Sequence, residues 1–355
     1  MAVDLEQILK NMHERGGSDL HLSCGYPPYI RINGKLHKEE NAPAVSESDM
    51  QAILQSLAAP ELQKEFLASG SLDLSWNLEG IARYRVNFYR ERRGTSAAFR
   101  EIPLSIPPFE SLGLPLRLRD IALLPKGLVL VTGPTGSGKS TTLASILDYA
   151  NRMRCDHVIT LEDPIEFIHE NHSCLFSQRE SGVHMRSFAD ALRSALREDP
   201  DIILIGEMRD AETMSLALEA AETGHLVFST LHTISASKTL ERIVQSFPPS
   251  GQEHIRAALA SSLQAAISQV LIRRSDIPGR VPAIEVLFAT DAVRSLIREG
   301  KTHQIPNTIQ LSRELGMISL DDSLELLLKS GAISLRSALL YAENRQRIRQ
   351  AAGDA

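Results

Sequence analysis

The sequence predicts an α/β chain in which a mostly parallel sheet, with helices on its faces, follows a smaller α+β domain. Three observations point there. From Lys126 onward, short apolar and β-branched runs alternate with helix-forming stretches, the pattern of a parallel sheet. The first of these runs, Gly127–Thr132, passes directly into a glycine-rich loop and then a helix-forming segment, Thr142–Ala150. Ahead of residue 102 the periodicity is instead close to two, with turn signals between the segments.

In chain order, Leu5, Ile8, Leu9 and Met12 recur at helical spacing, and Gly16-Gly17 closes that helix. Ser18–Ser23 and Tyr29–Asn33 alternate as strands, and Asn33-Gly34 signals a hairpin. A helix capped by Ser46 runs to Leu57, and another spans 61–68. Strands follow at 72–76, 82–89 and 95–100, with the charged stretch 90–93 as a turn. Residues 1–102 thus form the α+β domain. The prolines at 103, 107, 108, 115 and 125 mark 103–125 as a semi-rigid connection. The sheet domain, 126–290, has strands at 128–132, 157–161, 202–205 and 226–230. Between the second and third of these, Ser187 caps a helix that Pro200 keeps from continuing. Helices at 236–245 and 252–267 and a strand pair, 269–272 with 281–287, complete it. Residues 291–355 read as helices at 291–299, 320–329 and 335–347, capped by Thr290, Ser319 and Ser334, with a frayed tail after Gln350.

Whole-chain properties narrow the function. The 355 residues are 43% hydrophobic and 23% charged, ordinary for a soluble protein with two cores. With 38 basic against 44 acidic residues the net charge is −6, which gives no global sign of nucleic-acid binding. Cys24, Cys155 and Cys174 are too few and too scattered for a disulfide scaffold or a four-thiolate zinc site, and they fit a reducing compartment. Residues 1–10 lack a signal-peptide pattern, and no apolar run nears the roughly 20 residues that cross a bilayer. The expectation is a cytoplasmic chain without an integral membrane segment.

The loop itself is Gly133-Pro134-Thr135-Gly136-Ser137-Gly138-Lys139-Ser140-Thr141. A strand, this loop and a helix together make a phosphate-binding P-loop: inward N–H groups and the positive helix end hold a polyphosphate. Lys139 is expected on the β- and γ-phosphates of ATP, and Ser140 on Mg²⁺. Hydrolysis further needs a group to activate water, and in parallel sheets such groups stand beyond the carboxyl ends of strands. Glu162-Asp163, Glu207 and His232 occupy such ends. Glu207 is the candidate base. Gly206 stands where an aspartate commonly helps hold Mg²⁺, so that duty passes to Glu162 or Asp163. His225 is left open between packing and the site, while His232 is expected to sense the γ-phosphate. Arg193 is a further nucleotide-binding candidate, although with Arg197 it could simply pair with neighbouring acids. Arg85 and Arg100, on strands of the first domain, are either solvent-facing ladder members or fingers on the γ-phosphate.

Together with the P-loop, four stretches resemble one family nearly end to end: Gly16–His21, Ile159–Phe167, Gly206–Asp210 and Glu222–Thr233. It is the secretion ATPases of type IV pili and type II secretion, and within them the twitching-motility retraction ATPases of PilT type. The run Ala292–Glu299 is similar to their C-terminal retraction signature, differing at Val293 and Ser295. The resemblance implies a PAS-like first domain, a RecA-like ATPase domain and a homohexamer with nucleotide at its interfaces. It also implies that Glu207 is the catalytic glutamate, that His225 and His232 form the histidine box, and that Arg85 and Arg100 match the family's arginines. An inner-membrane pilus platform protein would receive the force, placing the motor at the inner membrane through the pilus machine. The alternatives are an accessory PilU-like retraction ATPase acting with a paralogous partner, an assembly or type II secretion ATPase, and a RecA-like nucleic-acid translocase. The translocase should show a basic lining with stacking aromatics, and aromatic content here is 5%.

Overall fold

The two periodicities separate into two units, Met1–Ser105 and Ile106–Ala355. The structure, a computed structural model, describes residues 3–32, 34–40, 42–102 and 105–353. The expected turn residue Asn33, together with Pro103 and the last two residues of the tail, lies outside them.

In the first unit, α1 (Leu5–Glu14) leads into β1 (Gly17–Ser23), β2 (Tyr29–Ile32) and β3 (Lys35–Lys38). Helices α2 (Glu47–Leu57) and α3 (Pro60–Ser69) precede β4 (Ser71–Leu78), β5 (Ala82–Glu91) and β6 (Gly94–Ile102). Ser46 and Asp49 exchange side-chain and backbone hydrogen bonds at the start of α2, a capping box that sets where the helix begins. All six strands pair antiparallel in the order β3-β2-β1-β6-β5-β4. Leu9, Met12, Met50 and Phe66 of the helices pack with Leu20, Phe88 and Phe99 of the sheet, each such burial contributing roughly 1.5–3 kcal/mol. Cross-strand register aligns Arg31, Asp19, Arg100 and Arg85 in one row across β2, β1, β6 and β5. The expected turn at 90–93 is shorter than read, because β5 continues to Glu91.

The segment expected as a connection, 103–125, forms two 3₁₀ turns, Phe109–Leu112 and Leu116–Leu123. Phe109, Leu118 and Ile121 are buried in the core of the second unit. Pro108 and Pro115 precede the two turns, so from Ile106 on the expected semi-rigid connection is a packed layer of the second unit.

Next come β7 (Gly127–Thr132), α4 (Lys139–Met153), β8 (His157–Glu162) and β9 (Leu175–Glu180). They are followed by α5 (Phe188–Ala195), β10 (Ile202–Ile205), α6 (Ala211–Thr223), β11 (Leu226–Leu231), α7 (Ala236–Gln245) and α8 (Gln252–Ser262). The seven-stranded sheet is completed by β12 (Leu263–Arg273) and β13 (Arg280–Phe288), in the order β13-β12-β7-β11-β10-β8-β9. Only the β12–β13 pairing is antiparallel. Every residue of β7, β10 and β11 is buried, as expected of strands covered on both faces. The helix expected over 252–267 ends at Ser262, since Leu263–Ile267 pair in parallel with β7. Strand β9 and helix α6 are elements the sequence reading did not contain.

The chain ends with α9 (Asp291–Arg298), α10 (Ile305–Leu311), α11 (Leu320–Lys329), α12 (Leu335–Tyr341) and α13 (Arg345–Gly353), all in the same contiguous unit as the sheet. Thr290, Ser319 and Ser334 each accept a backbone N–H as N-caps. The single helix expected over 335–347 is broken, and the tail after Gln350 is helical to Gly353. The break has a cause: the buried Asp321 carboxylate accepts the backbone N–H groups of Glu343 (2.9 Å) and Asn344 (2.8 Å). Asp321→Ala strands these donors and should lower unfolding stability by about 1–3 kcal/mol. Asp321→Asn, which keeps one acceptor oxygen, should lose less; the midpoints of urea unfolding provide the comparison.

Candidate functional site

The loop between β7 and α4 is shaped by where side chains cannot go. Gly133 has φ 141°, and a Cβ there would lie 2.2 Å from the carbonyl oxygen of Gln269 on β12. Gly138, at φ 86°, is the N-cap of α4. The loop thus turns tightly between two buried strands and delivers Lys139 and Ser140 to the first turn of α4. Lys139 is buried, and its Nζ donates to the carbonyl oxygens of Gly133 (2.9 Å) and Pro134 (3.2 Å). Burial lowers its pKa, while the charges of Glu207 and Glu166 oppose that shift.

Parallel register brings the candidate acids to the same end of the sheet. Ile205 pairs with Leu161 and with Ser229, and Leu231 pairs with Thr132, so the residues after β8, β10 and β11 gather beside the loop. Glu207 Oε2 accepts from Arg209 Nε (2.8 Å), and its Oε1 lies 3.2 Å from His232 Nε2. Arg209 also reaches toward Asp163 at 3.6 Å. The bridging role of Arg209 was not anticipated. Its signal was its position two residues beyond Glu207, which places both side chains on one side of an extended segment.

Gly206 has a steric reason. A Cβ there would lie 3.1 Å from the carbonyl oxygen of Leu161 and 3.3 Å from Cα of Glu162, so the lane between β10 and β8 is too narrow for an aspartate without displacement. Glu162 is the acid on the loop side. With Ser140, Gly206, Thr230 and His169 it lines a cavity of about 40 Å³. Burial pushes its carboxyl up to about 7, against hydrogen bonds from Thr160 Oγ1 (2.7 Å) and Gln178 Nε2 (3.3 Å). Asp163 is exposed and engaged with Arg209. A second cavity, of about 360 Å³, is lined by Gly138 and Thr141 together with Leu112, Leu114 and Arg280.

Two candidates of the second unit stand away from the loop's neighbours Glu207 and His232, and two more belong to the first unit. His225 precedes β11 at its amino end, and its Nδ1 lies 2.9 Å from the carbonyl oxygen of Ala220. Leu226 pairs with Gly127, so His225 stands a full strand, about 20 Å at roughly 3.3 Å per residue, from the loop of its own chain. Arg193 is exposed on α5, where Asp190 (3.3 Å) and Glu212 are its partners. These are the neighbouring ion pairs that its place on a helix face allows. Arg85 and Arg100 belong to the first unit, where Arg100 Nε donates to the buried Asp19 (2.8 Å) and Arg85 lies 3.6 Å from Asp73.

Residues 115–319 match the family model described as "Type II/IV secretion system protein". The chain is 47% identical to the type IV pilus retraction ATPase PilT of Pseudomonas aeruginosa, covering 95% of this chain and 97% of that protein. It is 47% identical to a twitching motility protein of Neisseria gonorrhoeae over 89% of this chain and 84% of the relative. Among solved structures, the pilus retraction motor PilT with bound ADP superposes with a TM-score of 0.91 at 41% identity, covering 98% and 99% of the two chains.

The raised carboxyl of Glu162 has a thermodynamic consequence. The folded protein binds its proton more tightly than the unfolded chain, so this group favours folding below about 4.5 and progressively loses that contribution as pH rises through about 7. The nucleotide-free Glu162→Gln variant should therefore gain stability relative to the parent as pH rises from 5 to 8. The gain should be on the order of 3 kcal/mol, read from paired unfolding curves, and a constant difference across that range would contradict the assignment.

Proposed function

Because the chain belongs to the type II/IV secretion system protein family, we propose that it is an ATP-hydrolysing motor, working as a homohexamer, that drives type IV pilus retraction. The mechanical half of this reading is supported by likeness, nearly end to end, to proteins named for retraction and twitching. A PilU ATPase of Pseudomonas aeruginosa is 37% identical and the assembly ATPase PilB is 32% identical, both further from this chain than the retraction relative. The observation that carries the chemical half is the placement of Glu207, level with the end of β7 and held between Arg209 and His232.

In this reading the loop N–H groups and Lys139 bind the β- and γ-phosphates, releasing the ammonium from the carbonyls of Gly133 and Pro134. Glu207 accepts the proton of the attacking water, and His232, in contact with that carboxylate, reports whether the terminal phosphate is present. Mg²⁺ commonly takes one or two protein oxygens besides phosphate and water, and the Ser140 hydroxyl and Glu162 carboxylate around one small cavity fit that need better than Asp163. When bound, it would neutralise phosphate charge. The cavity beside Gly138 and Thr141 has room for the base and ribose. Arg85 and Arg100 would act on nucleotide held by an adjacent copy, and an inner-membrane platform protein would take up the motion. With no described helix long and apolar enough to cross a membrane, attachment to the inner membrane would run through that partner.

Glu207→Gln should keep Mg-ATP binding while steady-state turnover falls by about a hundredfold or more. Unchanged turnover would remove Glu207 from the base position. In a piliated host, deletion of the gene should leave cells hyperpiliated and unable to twitch, and bald cells would point to assembly instead.

A further inference from the structure

One buried side chain beneath the loop has one polar end committed to the loop and the other to the first turn of α4. β12 runs parallel to β7 with Ser268 opposite Thr132, so Gln269 stands level with Gly133. Its side chain is buried, at 2% exposure. Nε2 donates to the carbonyl oxygen of Ser137 at 2.6 Å, and Oε1 accepts from Thr142 Oγ1 at 3.0 Å. A Cβ on Gly138 would lie 3.2 Å from the same Nε2, so the bare glycine is what lets the amide reach Ser137.

A primary amide offers a donor and an acceptor side by side, which neither a carboxylate nor a thioether can match. In a trans peptide the carbonyl of one residue and the N–H of the next point in opposite directions. Drawing the Ser137 carbonyl toward β12 therefore turns the Gly138 N–H away from β12, toward the concave side of the loop. We propose that Gln269 is a positioning residue for phosphate binding: it sets the Ser137–Gly138 peptide plane and ties that plane to the first turn of α4 through Thr142. The inference rests on reading 133–141 as the nucleotide site and adds the strand that holds its donors in place.

The test uses the full chain and Mg-ADP as probe, comparing Gln269→Met and Gln269→Glu with the parent from pH 5.5 to 8. Gln269→Met should weaken Mg-ADP binding about tenfold, as loss of a buried hydrogen-bonding pair implies, with KM for ATP rising more than kcat falls. Gln269→Glu should be as weak at pH 8, where the ionised carboxylate faces the Ser137 carbonyl. Its affinity relative to the parent should recover toward pH 5.5, because the protonated acid regains a donor. Ile267→Val, two residues earlier on the same strand and buried in the apolar core, controls for a general loss of core packing and should bind Mg-ADP as the parent does. Should Gln269→Met fail to fold, the pH series of Gln269→Glu decides alone. The proposal is overturned if Gln269→Met binds Mg-ADP within twofold of the parent, or if the deficit of Gln269→Glu is the same at both ends of the pH range. Failure of the parent itself to bind Mg-ADP would instead contradict the nucleotide reading.

Discussion

The close approach of β12 to the start of the phosphate loop is the constraint on which the rest of the second unit depends. Where Gly133 meets the Gln269 carbonyl there is no space for a side chain, and by Gly138 the loop must already be entering α4. A backbone bent this tightly presents N–H groups rather than side chains to a ligand, so charge recognition is built from main chain and a helix end. The buried hydroxyls of Thr132, Ser268 and Thr239 fill the space beneath it, with Thr132 and Ser268 2.7 Å apart. Thr239 in turn lies 2.6 Å from Thr233, next to His232, so a chain of hydroxyls runs from under the loop to the group that touches Glu207.

That arrangement divides the site among strands. β7 supplies the cradle, β8 the half-buried acid Glu162, β10 the water-activating candidate and β11 the histidine. Four parallel strands sharing one register bring these residues together without any being near another in sequence. Loops at the carboxyl ends can then differ in chemistry while the buried apolar runs stay uniform.

Local signals were legible in the sequence, and long-range ones were not. Ser46, Ser187, Thr290, Ser319 and Ser334 marked helix starts because a cap is an interaction over three residues. The P-loop, Glu207 and His232 could be placed because each follows a buried strand. β9 went unread since Leu175–Glu180 is a sheet-edge strand with no apolar run. α6 is rich in alanine, threonine and glutamate, and its apolar stripe is faint. Leu263–Ile267 has a composition that suits a helix, and only pairing with β7 makes it strand. The break between α12 and α13 is set by Asp321, more than twenty residues away. His225 and His232 look alike in sequence, yet six strand residues put them at opposite ends of β11.

The narrow lane at Gly206 separates two duties that a single strand could otherwise share. The acid fit to steady a cation stands on β8, and the acid fit to activate water stands beyond β10, with bare backbone between them. Sliding one strand slightly against the other would leave each carboxylate intact and change only the span between them. The spacing of the two acids is thereby written in the backbone: with no side chain between them, the offset of β8 against β10 alone fixes how far one carboxylate stands from the other.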